Sequence, residues 1–471
     1  MKFARLTQLI IIVSFMLTGC VNLAPDYVQP SAPVAATWST EQIGDASAAS
    51  VKTISVDQIG WKEFYGDKRL NKLIELALNN NRNLRQSALA VESARAQFRI
   101  ARADTLPAVN AVGSNSLLRT SGQASRTYSA TLGISAFELD FFGRLNNLRD
   151  QALETYLSFE ESLRSMRITL VAEVATAYFT LAADQQSLRL AERTLESQQK
   201  SLDLTLKTFE IGTASGLDVA TAQTSVDTAR ADIAIARTQV AQDINALTLL
   251  IGQPIDPALV TNSDSQISDP LAPLIQTISP VADAPSELLQ RRPDILAAER
   301  SLRAANASIG AARAARFPNI ILTTSAGTTS GELSDLFSGG SGLWSFNPSI
   351  SLPIFDSGSR KANVRIAELT HDTALAEYEL AIQTAFREVS DALSEQSNIQ
   401  ELIAARLSLL KANEKIFRLT EASFRSGLES SLLVLTAQQS HTIAQQDMIS
   451  ARLTEALNWV TLYRVLGGGW K

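Results

Sequence analysis

Few residues in this 471-residue chain are of a type that does covalent or metal chemistry. It has one cysteine, Cys20, so no internal disulfide can form, and two histidines, His371 and His441. The histidines fall on separate expected helices among charged or polar neighbours, where they should face solvent and supply no His-based metal site. No nucleophile–base constellation is present. Glu377 with Glu379, and Glu154 with Glu160 and Glu161, read as solvated helix faces. Gly467-Gly468-Gly469 follows the last expected helix with no strand before it, so it is no phosphate loop. The pattern implies no enzyme, no cofactor and no metal. The formal net charge of −6 argues against a nucleic-acid partner.

The elements that would carry these residues are marked by their breakers. Residues 144–211 and 359–426 contain neither glycine nor proline, and each run is framed by glycines: Gly143 and Gly212, then Gly358 and Gly427. Runs this long, rich in Ala, Leu, Gln, Glu and Arg, predict two single helices, each on the order of 100 Å at about 1.5 Å per residue.

The chain also repeats itself. Phe209-x-x-Gly212 recurs as Phe424-x-x-Gly427, and at the same offset Leu217 recurs as Leu432, Val219 as Val434 and Ala222-Gln223 as Ala437-Gln438. Ala101-Arg102-Ala103 to Pro107 recurs as Ala312-Arg313-Ala314 to Pro318. The first repeat is placed at 61–255, with a helix at about 67–104, a strand pair 108–118/127–139, the long helix 144–211 and a return helix 217–251. The second is placed at 285–467, with a helix 286–316, a strand pair 319–329/344–355, the long helix 359–426 and a return helix 430–466. A Pro-rich linker, 256–284, joins them, and 468–471 form a tail.

The long helices carry a heptad: Val174, Leu181, Leu188, Leu195, Leu202 and Phe209, then Val389, Gln396, Ile403, Leu410, Phe417 and Phe424. That period means left-handed packing against neighbouring helices, and an ordinary coiled-coil dimer would satisfy it. The strands point elsewhere. Trp344, Phe346, Pro348, Ile350, Leu352 and Ile354 alternate with small polar residues, as do Tyr128, Ala130, Leu132, Ile134 and Ala136. Strands of about 10 residues with one apolar face fit a transmembrane β-strand, or a small soluble sheet with one buried face. Residues 119–126 and Gly331–Gly342 read as exposed loops at the tips of the pairs. Four strands cannot close a barrel and open edges are not tolerated in lipid, so copies of the chain would have to complete it. Two copies and three copies both remain open on this argument.

The N-terminus is an address. Lys2 and Arg5 precede a short apolar core, Leu9–Leu17, as in a secretory signal, here 1–19. Leu17-Thr18-Gly19-Cys20 resembles the lipobox of bacterial lipoproteins, which implies that Cys20 is acylated and becomes the first residue of the mature chain. Loss of Lys2 and Arg5 would take the net charge from −6 to −8. A lipid on Cys20 tethers without spanning. Residues 20–60 read as an extended, lipid-anchored leader marked by Asp26-Tyr27, Pro30, Pro33 and Trp38.

One stretch is more specific. Ser-Glu-Leu-Leu-Gln-Arg-Arg-Pro-Asp-Ile-Leu-Ala-Ala-Glu-Arg from Ser286, continuing through Leu302-Arg303-Ala304-Ala305-Asn306 to Phe317-Pro318, resembles the outer-membrane factor lipoproteins of drug efflux systems, the TolC/OprM-like family. Phe142-Gly143-Arg144 and Pro353-Ile354-Phe355-Asp356 fit it too, and the resemblance covers essentially the whole chain. Arg291–Ile295 itself needs only a helix-start explanation, with Pro293 in the first turn and Asp294 at the positive end, and is assigned to structure rather than to chemistry.

The resemblance implies an α+β membrane protein: a homotrimer with a twelve-stranded transmembrane β-barrel, four strands per chain, continued by a periplasmic α-helical barrel with a mixed equatorial region. It implies a passive exit duct in the outer membrane of a Gram-negative bacterium, served by a periplasmic adaptor and an inner-membrane pump of the RND type. The adaptor would meet the turns at Gly212, Thr213, Ala214 and Ser215 and at Gly427, Leu428, Ser430 and Ser431. The closed end of the family's tunnel carries a leucine ring and an acidic ring. Leu432 takes the leucine position, but the acidic positions read Leu433 and Thr436, which departs from the pattern. Asp218 and Glu429 are the remaining acids there, and Asp218 is also placed to cap the return helix. Two other readings stay open: the duct of a protein secretion system, and a periplasmic coiled-coil scaffold without a pore.

Overall fold

A computed structural model describes residues 22–34, 60–260 and 291–468. Cys20, Trp38 and most of the linker lie outside the described residues. The elements in order are α1 Trp61–Phe64, α2 Lys68–Asn80, α3 Arg82–Ala103, β1 Val109–Thr120, β2 Gln123–Glu138, α4 Arg144–Glu210, α5 Gly216–Ile251, α6 Pro257–Val260, α7 Pro293–Ala314, β3 Asn319–Ser330, β4 Gly342–Ser351, α8 Ser359–Arg425 and α9 Ser431–Val465. Both long helices are unbroken over 67 residues.

Several boundaries differ from expectation. The helix expected over 67–104 is two helices, broken at Asn81, whose backbone is extended. Its side chain replaces the lost helical bonds by donating to the Leu250 carbonyl (2.8 Å) and accepting from the Leu84 amide (2.9 Å). The helix expected over 286–316 is interrupted at Arg292: Arg291 is helical, α7 runs from Pro293 to Ala314, and 286–290 lie outside the described residues. The first hairpin has no loop over 119–126. Pairing runs to Thr120↔Gln123, and Ser121 and Gly122 turn the chain with φ of 51° and 85°. A two-residue turn of positive φ follows the strand twist, so the strands need not stop earlier. β4 ends at Ser351, short of 355, because Pro353 has no N–H for a ladder and Asp356 accepts from the amides of Gly358 and Arg360 at the start of α8.

The described residues form two compact units. Among the described residues, the first comprises 22–32, Leu89–Glu161 and Leu296–Ala381. It contains one antiparallel sheet in the order β1-β2-β3-β4, with β1 and β4 as its edges. Several apolar strand residues are exposed, Trp344 to 78% and Ile350 to 69%, while Tyr128, Ile134 and Leu322 are half-buried. The expected alternation along β2 fails at one place. The register shifts between Ile134 and Phe137, and Ala136 sits at φ 55° as the extra residue of a bulge. In the same unit the extended leader lies along α7: Arg313 approaches the Leu23 carbonyl, Asn306 donates to the Pro25 carbonyl (2.8 Å), and the Tyr27 hydroxyl donates to Glu299 (3.2 Å) beneath the Arg303 guanidinium. Glu154 is not merely solvated, since it pairs with Arg300 at 3.1 Å.

Among the described residues, the second unit comprises 33–34, 60–88, 162–260, 291–295 and 382–468. Its core gathers Phe64, Tyr65, Leu70, Leu73 and Ile74 with Val174, Leu181, Val389 and Tyr463. Phe64 stacks on Tyr463 at 3.9 Å. Toward the glycine turns the heptads pair within the chain: Leu202 packs with Ala222 and Val226 of α5, and Ile403 with Ala451 of α9. No second copy is needed to cover these positions. An 18-residue window of α4 has the mean hydropathy of a membrane helix, 1.3, but 61% of it is buried, which this core explains. Arg292, expected only to mark a helix start, is buried. It donates to Asp294 (2.7 Å), Glu388 (2.8 Å) and the Val465 carbonyl (3.1 Å). His441 is not simply solvent-facing: it stacks on Phe417 at 5.9 Å and buries Nδ1.

Candidate functional site at the paired turns

Each long helix ends in a reversal built on one left-handed glycine. Gly212 has φ 79° and Gly427 has φ 75°, a region a Cβ disfavours. The Gly212 amide donates to Phe209 O and the Gly427 amide to Phe424 O, both at 2.9 Å. Thr213 N then donates to Thr208 O, and Leu428 N to Ser423 O, again both at 2.9 Å. The repeated Phe-x-x-Gly thus produces the same turn twice.

The restarts differ. Ser215 caps α5 and completes a capping box with Asp218: the Asp218 amide donates to Ser215 Oγ (3.2 Å) and the Ser215 amide to Asp218 Oδ2 (2.8 Å). Ser430 caps α9 by accepting from the Leu433 amide (3.4 Å), and Leu433 offers no return bond. The second turn instead borrows the first turn's acid, because Ser431 Oγ donates to Asp218 Oδ1 at 3.0 Å. Three donors, the Ser215 amide first, then the Ser215 and Ser431 hydroxyls, hold the Asp218 carboxyl below its ordinary range.

Thr213, Gly212, Ser215, Gly427, Leu428, Glu429 and Ser430 are exposed, and Ala214 and Ser431 half-buried. Leu432 is 61% exposed and Leu433 also lies open, while the Thr436 hydroxyl turns back to the Leu432 carbonyl at 2.9 Å. Ile211, Leu217 and Leu428 are each more than 70% exposed, so the turns present an apolar rim around a polar link. The Asp218–Ser431 contact was not legible in the sequence. Its only signal is the Ser-x-x-Asp spacing at 215–218, which announces the cap but not the second partner. Among the described residues no group of three or more His, Cys, Asp and Glu side chains is placed to hold a metal.

The family model described as outer membrane efflux protein matches residues 73–253 and 284–468, one stretch in each repeat. The chain is 46% identical to the probable efflux pump outer membrane protein TtgC of Pseudomonas putida, over 98% of this chain and 94% of that one. It is 41% identical to outer membrane protein OprJ of Pseudomonas aeruginosa, over 96% and 94%. Its fold matches the crystal structure of the open state of the Neisseria gonorrhoeae MtrE outer membrane channel with a TM-score of 0.85 and 36% identity, covering 96% of this chain and 99% of that one. A chain matched in both repeats and along nearly its whole length to such relatives belongs to the outer membrane efflux protein family.

Proposed function

We propose that this chain is the outer-membrane exit duct of a tripartite efflux pump, conducting small molecules passively from an inner-membrane pump and periplasmic adaptor to the exterior. The observation that carries the reading is the family match across both repeats, with relatives named as efflux pump outer membrane proteins over nearly their full length.

Physical arguments support the finer parts. A four-stranded sheet with two open edges and exposed apolar residues such as Trp344 and Ile350 satisfies its backbone in lipid only if copies of the chain continue it. Three copies would give the family's twelve strands. A lipid on Cys20 would tether each copy to the same membrane. The exposed apolar rim at Ile211, Leu217 and Leu428 suits contact with a periplasmic adaptor, an inner-membrane RND-type pump lying beyond it. Leu432, Leu433, Thr436, Glu429 and Asp218 are the residues from which a closed aperture would be built. Leu433 and Thr436 stand where the family carries its acidic ring, so the charge there would come from Asp218, which its three donors keep ionised, and from Glu429.

The purified full chain, reconstituted in planar bilayers, should form trimers by native mass spectrometry and conduct ions once the turns are loosened by substitution. No conductance in any such variant would overturn the duct. Mass spectrometry of the N-terminal peptide should find Cys20 acylated, and C20S should abolish the modification while leaving conductance in place.

A further inference from the structure

A groove of about 470 Å³ lies in the second unit between α4, α8 and α9. By helix rise it is about 30 Å along α4 from the turn at Glu210, well away from the site above. Its apolar floor includes Leu190, Leu410 and Met448. Its wall carries three guanidiniums, Arg189 and Arg193 one turn apart on α4 and Arg452 on α9. None of the lining residues is an acid.

The nearby acids are engaged elsewhere. Glu192 pairs with Arg237 of α5 at 3.2 Å. Asp447 pairs with Arg406 at 2.6 Å. Glu455 holds Arg452 at 2.9 Å and accepts from Gln400 with its other oxygen. Among the described residues Arg189 and Arg193 therefore have no ion-pair partner. Burial first, and then the like charge of Arg193, push Arg189 below the ordinary guanidinium value, with Glu192 offsetting part of it. Like charges one helical turn apart repel, and both charges point to the same groove.

We propose that this groove binds a small anionic amphiphile, its carboxylate or sulfonate held by Arg189 and Arg193 and its apolar body laid on Leu190, Leu410 and Met448. A guanidinium pair is suited to bidentate recognition of such acid groups. The volume is that of a drug-sized ligand site. Arg452 is already neutralised by Glu455 and closes one side, so Arg189 and Arg193 carry the recognition.

The test uses the purified full chain in phosphatidylcholine nanodiscs, titrated calorimetrically with naphthalene-1-sulfonate and, separately, with naphthalene-1-methylammonium, a cation with the same body. The sulfonate should bind saturably, one per protomer, and weaken at high salt, while the cation should not compete. R189Q/R193Q should weaken sulfonate binding by about tenfold or more. M448E, which keeps both arginines but adds an acid to the floor, should do the same and covers the case in which the double variant misfolds. Absence of saturable sulfonate binding, or equal binding by the wild type and M448E, would overturn the site. Conductance of the same preparation reads the duct separately, so failure of one does not imply failure of the other.

Discussion

Ser431 donates a 3.0 Å hydrogen bond to Asp218, joining two residues that lie 213 apart in sequence. The contact ties the start of α9 to the start of α5, so the two reversals of the repeat are linked by one side-chain bond. Asp218 already closes the α5 capping box with its other oxygen, and the one acid stabilises a helix start and a junction at once.

These two duties separate by mutation. Ser215→Ala removes the α5 cap and should cost about 1 kcal/mol of local helix stability. Ser431→Ala leaves that cap in place and removes only the link. Hydrogen exchange should therefore quicken over 216–222 in the first variant and chiefly over 431–436 in the second. In planar bilayers Ser431→Ala should conduct more than wild type. Identical exchange and conductance in S431A and wild type would show that the link holds nothing.

The buried Arg292 gives a stability prediction. Burial alone would raise the Asp294 carboxyl, but the bond and charge of Arg292 outweigh it and hold it below the ordinary value. Arg292→Ala should destabilise the second unit by about 2–4 kcal/mol, somewhat less than breaking a fully buried pair, because Asp294 and Glu388 retain partial solvent contact. Because the Asp294 value is depressed, its contribution is present above the free aspartate value and is lost as pH falls through the folded one. Acid melting curves should show the wild type losing this increment and R292A lacking it.

Asp184 of α4 behaves in the opposite sense. Burial first, then the hydrogen bond and charge of Asp243 on α5, push it up from 3.8 to about 6. The folded chain then holds this proton more tightly than the unfolded one. The pair's contribution to stability is greatest below 3.8 and declines as pH rises to about 6. Asp184→Asn should flatten that part of the stability–pH curve and raise the melting temperature at pH 7, measured by circular dichroism. A variant whose pH dependence matches wild type would remove Asp184 from the account.

Two glycines in the sheet test its packing. A Cβ on Gly327 of β3 would lie 2.1 Å from the Ala130 carbonyl oxygen of β2, whereas one on Gly113 of β1 would meet nothing within 4 Å. Gly327→Ala should sharply reduce the folded chain recovered in outer-membrane fractions, and Gly113→Ala should leave it near wild type. Equal recovery would mean that the β2–β3 pair adjusts.

The split between what was legible and what was not follows the range of the interactions. Local chemistry settled the long helices, the paired turns and the repeat: breakers are absent over the rods, and Gly212 and Gly427 occupy the backbone region that favours glycine. Period-two patterning found the four strands, but not their ends. The first hairpin continues to Ser121-Gly122 and the last strand stops before Pro353, because turn geometry and capping, not side-chain alternation, set those limits. The heptads announced a packing face and left its partner open. Only the tertiary structure decided that Leu202 meets Val226 of the same chain, since a periodic pattern states which face is buried and not against what. The Asp218–Ser431 link, and the placing of Arg189 and Arg193 beside Leu410 and Met448, were out of reach for the same reason. Each joins side chains from helices distant in sequence, and no local spacing encodes where two helices will lie side by side.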